Sequence, residues 1–483
     1  MTSLLSPVAR RLLATLTALA LAACGGGDSV DVAGVGSGGS GVASGSVTGF
    51  GSVIVDGVEY DDTAATREAE GADGARANTA VKLGQRVRVQ YAGGRVATRI
   101  EVQAQLVGPV TAAPGAGGVL AVLGQRVRVV TGAGDLTQSS PTVLDGYSGV
   151  AAIAAGDEVE VHGAWAYDSA TATNVLVATR IEKRADRPDP VQLGGVVTAI
   201  DGTTIRLNSA SGTPVRAASL PTLAVGDVVR VWANRSALAV SPVLALRVAA
   251  DSVAADLAGN ASVSVSGLAS HYDPVGRTVE VQGVKVKLAD GVTVDEDALA
   301  RGGFVTVSLS RGGTTPLASA VSQRSSGSDL GRTVEVKGVT RGVDWSAPTV
   351  NFVLRGTPIQ ASAGAIAAAC RSVAVSADVL VEVRGSTTGS GAAVTAASVS
   401  CSTAFTGAPT ADYTGTLAAI DTAGRSLRLL VSATGQHLVA VWDDKTYFEQ
   451  HPASLPIGLR VEVEGVMDKG SNTLRLSKVR AAD

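Results

Sequence analysis

A valine–polar–valine triplet, set just after a glycine or aspartate turn, occurs six times along the chain. The pairs are Val87/Val89, Val159/Val161, Val229/Val231, Val305/Val307, Val381/Val383 and Val461/Val463, separated by 72, 70, 76, 76 and 80 residues. A period of two places the valines on one face of a strand and the intervening Arg, Glu or Thr on the other. A second apolar landmark follows each pair by 11–20 residues: Ile100, Ile181, Val248, Val321, Val399 and Val479. A glycine-centred stretch opens each unit, at "SVTGFGSV", "LVGPVTA", "LGGVVTAID", "VSVSGLAS", "VEVKGVTRGVD" and "YTGTLAAID". Six units of about 60–80 residues, each with five or six strands, therefore fill the chain from Gly45 to Asp483.

This register separates two identical heptads. "LGQRVRV" stands at 83–89 and again at 123–129. The first copy occupies the turn-and-strand slot late in unit one; the second sits in an earlier slot of unit two, matching Val55-Asp56-Gly57-Val58. The 40-residue spacing is thus a false period.

Composition narrows the fold class. Aromatic residues make up 3% of a chain that is 45% hydrophobic, so its cores are built from Val, Ala, Leu and Ile. The 58 glycines fit short β-branched strands joined by turns. At 483 residues several cores are expected. Half-buried strands in units this small are most economically satisfied by closure. The expected class is all-β: a tandem array of about six OB-like or SH3-like barrels, or mini-sandwiches, following a signal and a flexible tether. A net charge of −3 with scattered Arg and Lys gives no basic surface for nucleic acid.

The N-terminus carries an address. Arg10 and Arg11 precede an apolar run from Leu12 to Ala23, too short to span a bilayer and typical of a signal peptide. Leu21-Ala22-Ala23-Cys24 resembles the lipobox of bacterial lipoproteins. The resemblance implies cleavage after Ala23 and acyl chains such as palmitate on Cys24, an anchor of two or three chains. Gly25, in place of aspartate, points to the outer membrane. The expected organisation is a signal at 1–23, a Gly/Ser-rich tether at 24–44, and modules at 45–107, 108–185, 191–251, 262–326, 331–402 and 411–483. The glycine pattern Gly34-Val35-Gly36-Ser37-Gly38-Gly39 lacks a flanking strand and helix and reads as tether. With Cys24 assigned, Cys370 and Cys401 remain as a disulfide pair in an exported chain, with two buried free thiols as the alternative.

The order "GFGSVIVDGVEYD", "LGQRVRV", "ATRIE" in unit one resembles DUF5666, a bacterial domain of unknown function. "GPVTA…VLGQRVRVVTG…AGDEVEVHG…ATRIE" in unit two resembles it equally. The likeness is good in units one and two, fair in three and six, and weak in four and five. The resemblance implies tandem β-domains in an exported protein and brings no catalytic or ligand residues.

Chemistry is sparse in the sequence. The four histidines, His162, His271, His437 and His451, show no metal-binding spacing, and no nucleophile elbow or phosphate loop occurs. His162 continues a strand and is expected to face solvent. Carboxylates at Asp61-Asp62 and Asp295-Glu296-Asp297 read as solvated turns. Trp165, Trp232, Trp345 and Trp442 read as lids on barrel ends, with sugar or peptide stacking as the alternative. The one candidate ligand-binding group is in unit six: Trp442, Asp443, Asp444, His437 and His451. No catalytic residue, metal or cofactor is expected.

These features describe a non-catalytic, lipid-anchored protein of the bacterial cell envelope, facing periplasm or cell surface. Its repeated modules serve as a spacer or binding array, with the membrane as partner through Cys24 and a glycan, peptide or envelope protein as further partner. The alternatives are a hydrolase with its site confined to module 6, and glycan- or peptide-binding modules.

Overall fold

The computed structural model describes residues 41–481 apart from 63–64, 93–94, 132–140, 252, 261, 283, 311–314, 324–333, 378, 388–390, 403–410, 433–434, 443–445, 449–451 and 469–472. Three ladders recur in all six modules. In every module the strand carrying the valine pair runs antiparallel to the opening strand and to the closing strand, and an earlier strand runs parallel to the closing one. In module 3 the five strands are Val191–Asp201, Thr204–Leu207, Pro214–Arg216, Val228–Ala233 and Val243–Asp251. The ladders close it in the order 1-2-3-5-4-1. This is the connectivity of an OB-like barrel, and it leaves no free edge.

The six valine pairs sit at one place in this plan. Each first valine lies opposite a glycine of its opening strand: Gly45 with Val87, Gly108 with Val159, and Gly195 with Val229. Gly267 with Val305, Gly338 with Val381, and Gly415 with Val461 complete the series. Each second valine lies opposite the later landmark, from Val89 with Ile100 to Val463 with Val479. Directly after that rung every valine-pair strand carries a register shift, at Gln90, His162, Trp232, Ser308, Arg384 and Glu464. A bulge bends and twists a strand, so placing one at a fixed point curls each short sheet into a barrel.

The twin heptads fold differently. Leu83 and Gly84 form the loop that enters the strand Arg86–Ala92, with Gly84 donating to the Val47 carbonyl at 2.8 Å. Leu123 and Gly124 are instead the two left-handed residues of a hairpin (φ 52° and 76°) between Val119–Val122 and Gln125–Val129. Asp56-Gly57 and Arg355-Gly356 make the same hairpin in modules 1 and 5.

Two expectations on boundaries change. Residues 41–44, assigned above to the tether, are strand: the opening strand of module 1 is Gly41–Phe50, and its framework glycine is Gly45. The opening strand of module 2 begins at Leu106, inside the span given to module 1.

The modules pack beyond their sequence neighbours. Module 1 meets module 2 through Lys82–Glu182 at 2.6 Å and through the Arg180 guanidinium donating to the Leu83 carbonyl at 3.1 Å. It meets module 3 through Arg230, the helix Val253–Gly259 ahead of module 4 through Arg88–Asp256, module 4 through a parallel ladder, and module 5 through Gly49 and Phe50. Val130 and Val177 of module 2 share a small core with Leu268 and Phe304 of module 4. Module 1 is the hub of the described body.

Candidate functional site

The module 6 group is placed in part. His437 begins the strand His437–Val441, exposed, opposite Leu430. Trp442 follows that strand, packs against the barrel core and meets Phe448 edge-on at 5.3 Å between ring centroids. Trp442 is therefore the core lid expected of it. Asp443, Asp444 and His451 lie outside the described residues, as does Cys24.

The other tryptophans are also internal. Trp165 is buried and its Nε1 donates to Gln105 Oε1 at 2.8 Å. Trp345 meets Phe352 edge-on. Trp232 lies beneath two guanidinium groups, those of Arg230 at 5.5 Å and Arg247 at 4.8 Å. Asp295 caps the short helix Glu296–Ala300 by accepting from the Ala298 amide, and Asp62 pairs with Arg67 at 2.8 Å. Cys370 and Cys401 form the disulfide, tying the helix Ala368–Arg371 to the last strand of module 5.

His162 departs from expectation. Its side chain is fully buried, with Nε2 2.9 Å from Glu160 Oε1. The reason is tertiary: the strand Glu158–Asp168 packs against Arg86–Ala92 of module 1 and Ser262–Asp273 of module 4, so its outward side chains are covered. Arg184 closes on the other Glu160 oxygen at 2.6 Å. Burial pushes the Glu160 carboxyl up, but the hydrogen bond and charge of His162 and the Arg184 guanidinium outweigh it. The result is a shift from 4.5 to about 2.

The densest polar constellation lies at the junction of modules 1 and 3, and sequence reasoning missed it. Arg230, on the fourth strand of module 3, reaches Glu70 and Glu101 of module 1, each at 3.2 Å, and Asp251 of its own module at 3.3 Å. Arg247 pairs with the second oxygen of Glu70. Burial pulls the Arg230 guanidinium down in pKa, yet Asp251, Glu101 and Glu70 outweigh it and hold the cation above its ordinary range. Arg230 is the polar residue inside the triplet Val229-Arg230-Val231, so a readable signal existed. Its partners in module 1 are 129 and more positions away, and nothing in the sequence ties them together.

Two small cavities lie at the hub, both lined by Ser46, one where modules 1, 2 and 5 meet and one where modules 1, 2 and 4 meet. Each has room for about one water molecule. Such an arrangement holds barrels together; neither space admits a metabolite or a sugar ring. Among the described residues, no cluster of three or more His, Cys, Asp or Glu is arranged to hold a metal ion. Among the same residues, no helix is long and apolar enough to cross a membrane.

Comparison with known proteins places one module. Silver(I)-bound CusF is similar at 14% identity and a TM-score of 0.13, covering 15% of this chain and 96% of that one. A copper(II) form of a tryptophan-to-alanine CusF variant from Escherichia coli has the same identity and TM-score, covering 15% and 90%. No curated protein matches the chain. Residues 107–182, the span of the second barrel, match the family described as Domain of unknown function (DUF5666).

Proposed function

We propose that this chain is a lipid-anchored protein of the bacterial cell envelope whose six DUF5666-like barrels form a non-catalytic spacer or binding body. The Gly/Ser-rich segment after Cys24 joins that body to the outer membrane. The observation carrying this reading is the way module 1 is gripped. The module next to the tether shares ladders or ion pairs with modules 2, 3, 4 and 5, so an anchor at its N-terminus holds several barrels together. Repetition of related modules also raises avidity for a repeated ligand when single sites are weak.

A second reading, peptide or glycan recognition on module 6, draws on one feature. Leu430, His437 and Val439 lie exposed on two neighbouring strands, offering an outward patch of apolar and aromatic character.

Cell fractionation tests the first reading. The wild-type chain should sediment with outer membranes and carry acyl label, and Cys24→Ser should move it to the soluble fraction. Membrane retention of the Ser variant would refute the anchor. A glycan and peptide array probed with the delipidated chain tests the second reading; binding that Val439→Asp abolishes would favour recognition over spacing.

A further inference from the structure

The geometry points to the strand Gly41–Phe50 as a strap that clasps three modules at once and joins the tether directly to all of them. Among the described strands it alone has ladder partners from three modules. Residues 41–44 lie between two strands, antiparallel to Arg88–Tyr91 of module 1 and parallel to Ser262–Val265 of module 4. Its far end, Gly49 and Phe50, runs parallel to Glu335 and Val336 of module 5. Nine of its ten residues are buried.

Three glycines at four-residue intervals make this possible. A Cβ at Gly41 would stand 2.9 Å from the Ser262 carbonyl oxygen and collide with the Tyr91 ring. One at Gly45 would collide with the Asp56 carboxylate, which accepts the Ser46 amide at 3.0 Å. One at Gly49 would collide with the Glu335 carbonyl oxygen. Gly41 thus admits the Tyr91 ring of module 1 and the strand of module 4, Gly45 the hairpin of module 1, and Gly49 the strand of module 5 with Ile54 beside it. Backbone oxygens cannot swing aside as a flexible side chain can, so at Gly41 and Gly49 an added side chain must push the neighbouring strand away. Both hub cavities border Ser46, midway along the strap, where small residues leave the junction incompletely filled.

The strap explains why the segment looks like linker in sequence: its thinness serves packing. It also gives the tether a mechanical consequence. A pull arriving at Gly41 acts along a strand laddered on both sides, so the rungs of residues 41–44 are strained together rather than one after another. The direction of that load rests on the lipid-anchor reading above; the clasp itself does not.

Hydrogen exchange on the full, non-lipidated chain tests the clasp without any membrane. Gly49→Val should speed exchange at least tenfold over 334–340 while leaving 262–266 unchanged. Gly41→Val should do the converse, and both should leave 461–463 of module 6 unchanged. Gly364→Ala, where a Cβ meets open space, serves as the control and should change none of them. Gly41→Ala and Gly49→Ala repeat the test with a smaller perturbation should the valine variants fail to fold. Equal exchange at both segments in the alanine pair, whether raised together or unchanged, would overturn the strap. Loss of membrane anchoring with these exchange patterns intact would refute the anchor and leave the strap standing.

Discussion

Arg230 of module 3 and Glu101 of module 1 form an ion pair at 3.2 Å with only 5% and 6% of their side chains exposed. Glu70 and Asp251 share the same guanidinium, so three carboxylates converge on one buried cation, with Arg247 also on Glu70. Removing one partner of a buried pair costs about 3–5 kcal/mol, because the remaining charges stay desolvated and repel. Arg230→Ala is therefore expected to weaken the joint of modules 1 and 3 by that amount. Urea denaturation should report it, together with faster exchange over 96–102 and 243–251. A loss below about 1 kcal/mol would mean that the junction is hydrated.

The pH response should centre on Glu160. Its folded pKa of about 2 lies below the ordinary 4.5, so the carboxylate contributes stability that is present above pH 4.5 and is lost as pH falls toward 2. The size of the shift corresponds to about 3 kcal/mol. Denaturation midpoints measured from pH 6 to pH 2 should fall along this limb. Glu160→Gln should start less stable at pH 6 and show a flatter fall; a parallel fall would place the acid sensitivity elsewhere.

One substitution in two identical heptads should have two different costs. Gly84 and Gly124 both have left-handed φ, 78° and 76°, so alanine at either carries about 1–2 kcal/mol of backbone strain. A Cβ at Gly124 meets nothing within 4 Å, whereas one at Gly84 comes within 2.6 Å of the Thr179 carbonyl oxygen in module 2. Gly84→Ala is expected to lose about 1–3 kcal/mol more than Gly124→Ala, through overpacking at the joint. Thermal melts of the two variants side by side check this, and equal midpoints would contradict it.

The disulfide should matter mainly to module 5. Cys370 and Cys401 are 31 positions apart, and closing a loop of that length is worth about 3–4 kcal/mol in the chain-entropy view. Reduction, or Cys401→Ser, should increase protease cleavage within 334–402 while leaving fragments of modules 2 and 3 intact. Unchanged cleavage would show that the barrel needs no staple.

Much of the barrel was legible in the sequence, because closure is local. The first valine of each pair faces the opening glycine and the second faces the later landmark, so a period-two pattern repeated at 70–80 residues marked real rungs. What escaped was everything between barrels. His162 points outward from its own barrel, which in a single sequence means solvent; packed against other barrels it means burial. Gly41 to Ser44 have the composition of a flexible linker, and only the neighbouring strands of modules 1 and 4 show that smallness there serves close approach. Arg230 looked like one more outward arginine because its three acids are scattered from Glu70 to Asp251. In module 6, His437 is exposed and Trp442 packs on the core, while Asp443, Asp444 and His451 lie outside the described residues.

The hub role of module 1 is tested most directly by loosening that module alone. Val87 is fully buried opposite Gly45, and Val87→Ala should cost module 1 about 2 kcal/mol, roughly a thirtyfold shift in its opening equilibrium. Native-state hydrogen exchange would then be followed at the rungs of the valine pairs in all six modules. The expected result is faster opening in modules 2, 3, 4 and 5 as well as in module 1. Acceleration confined to module 1 would contradict the account and leave six independent barrels on a string.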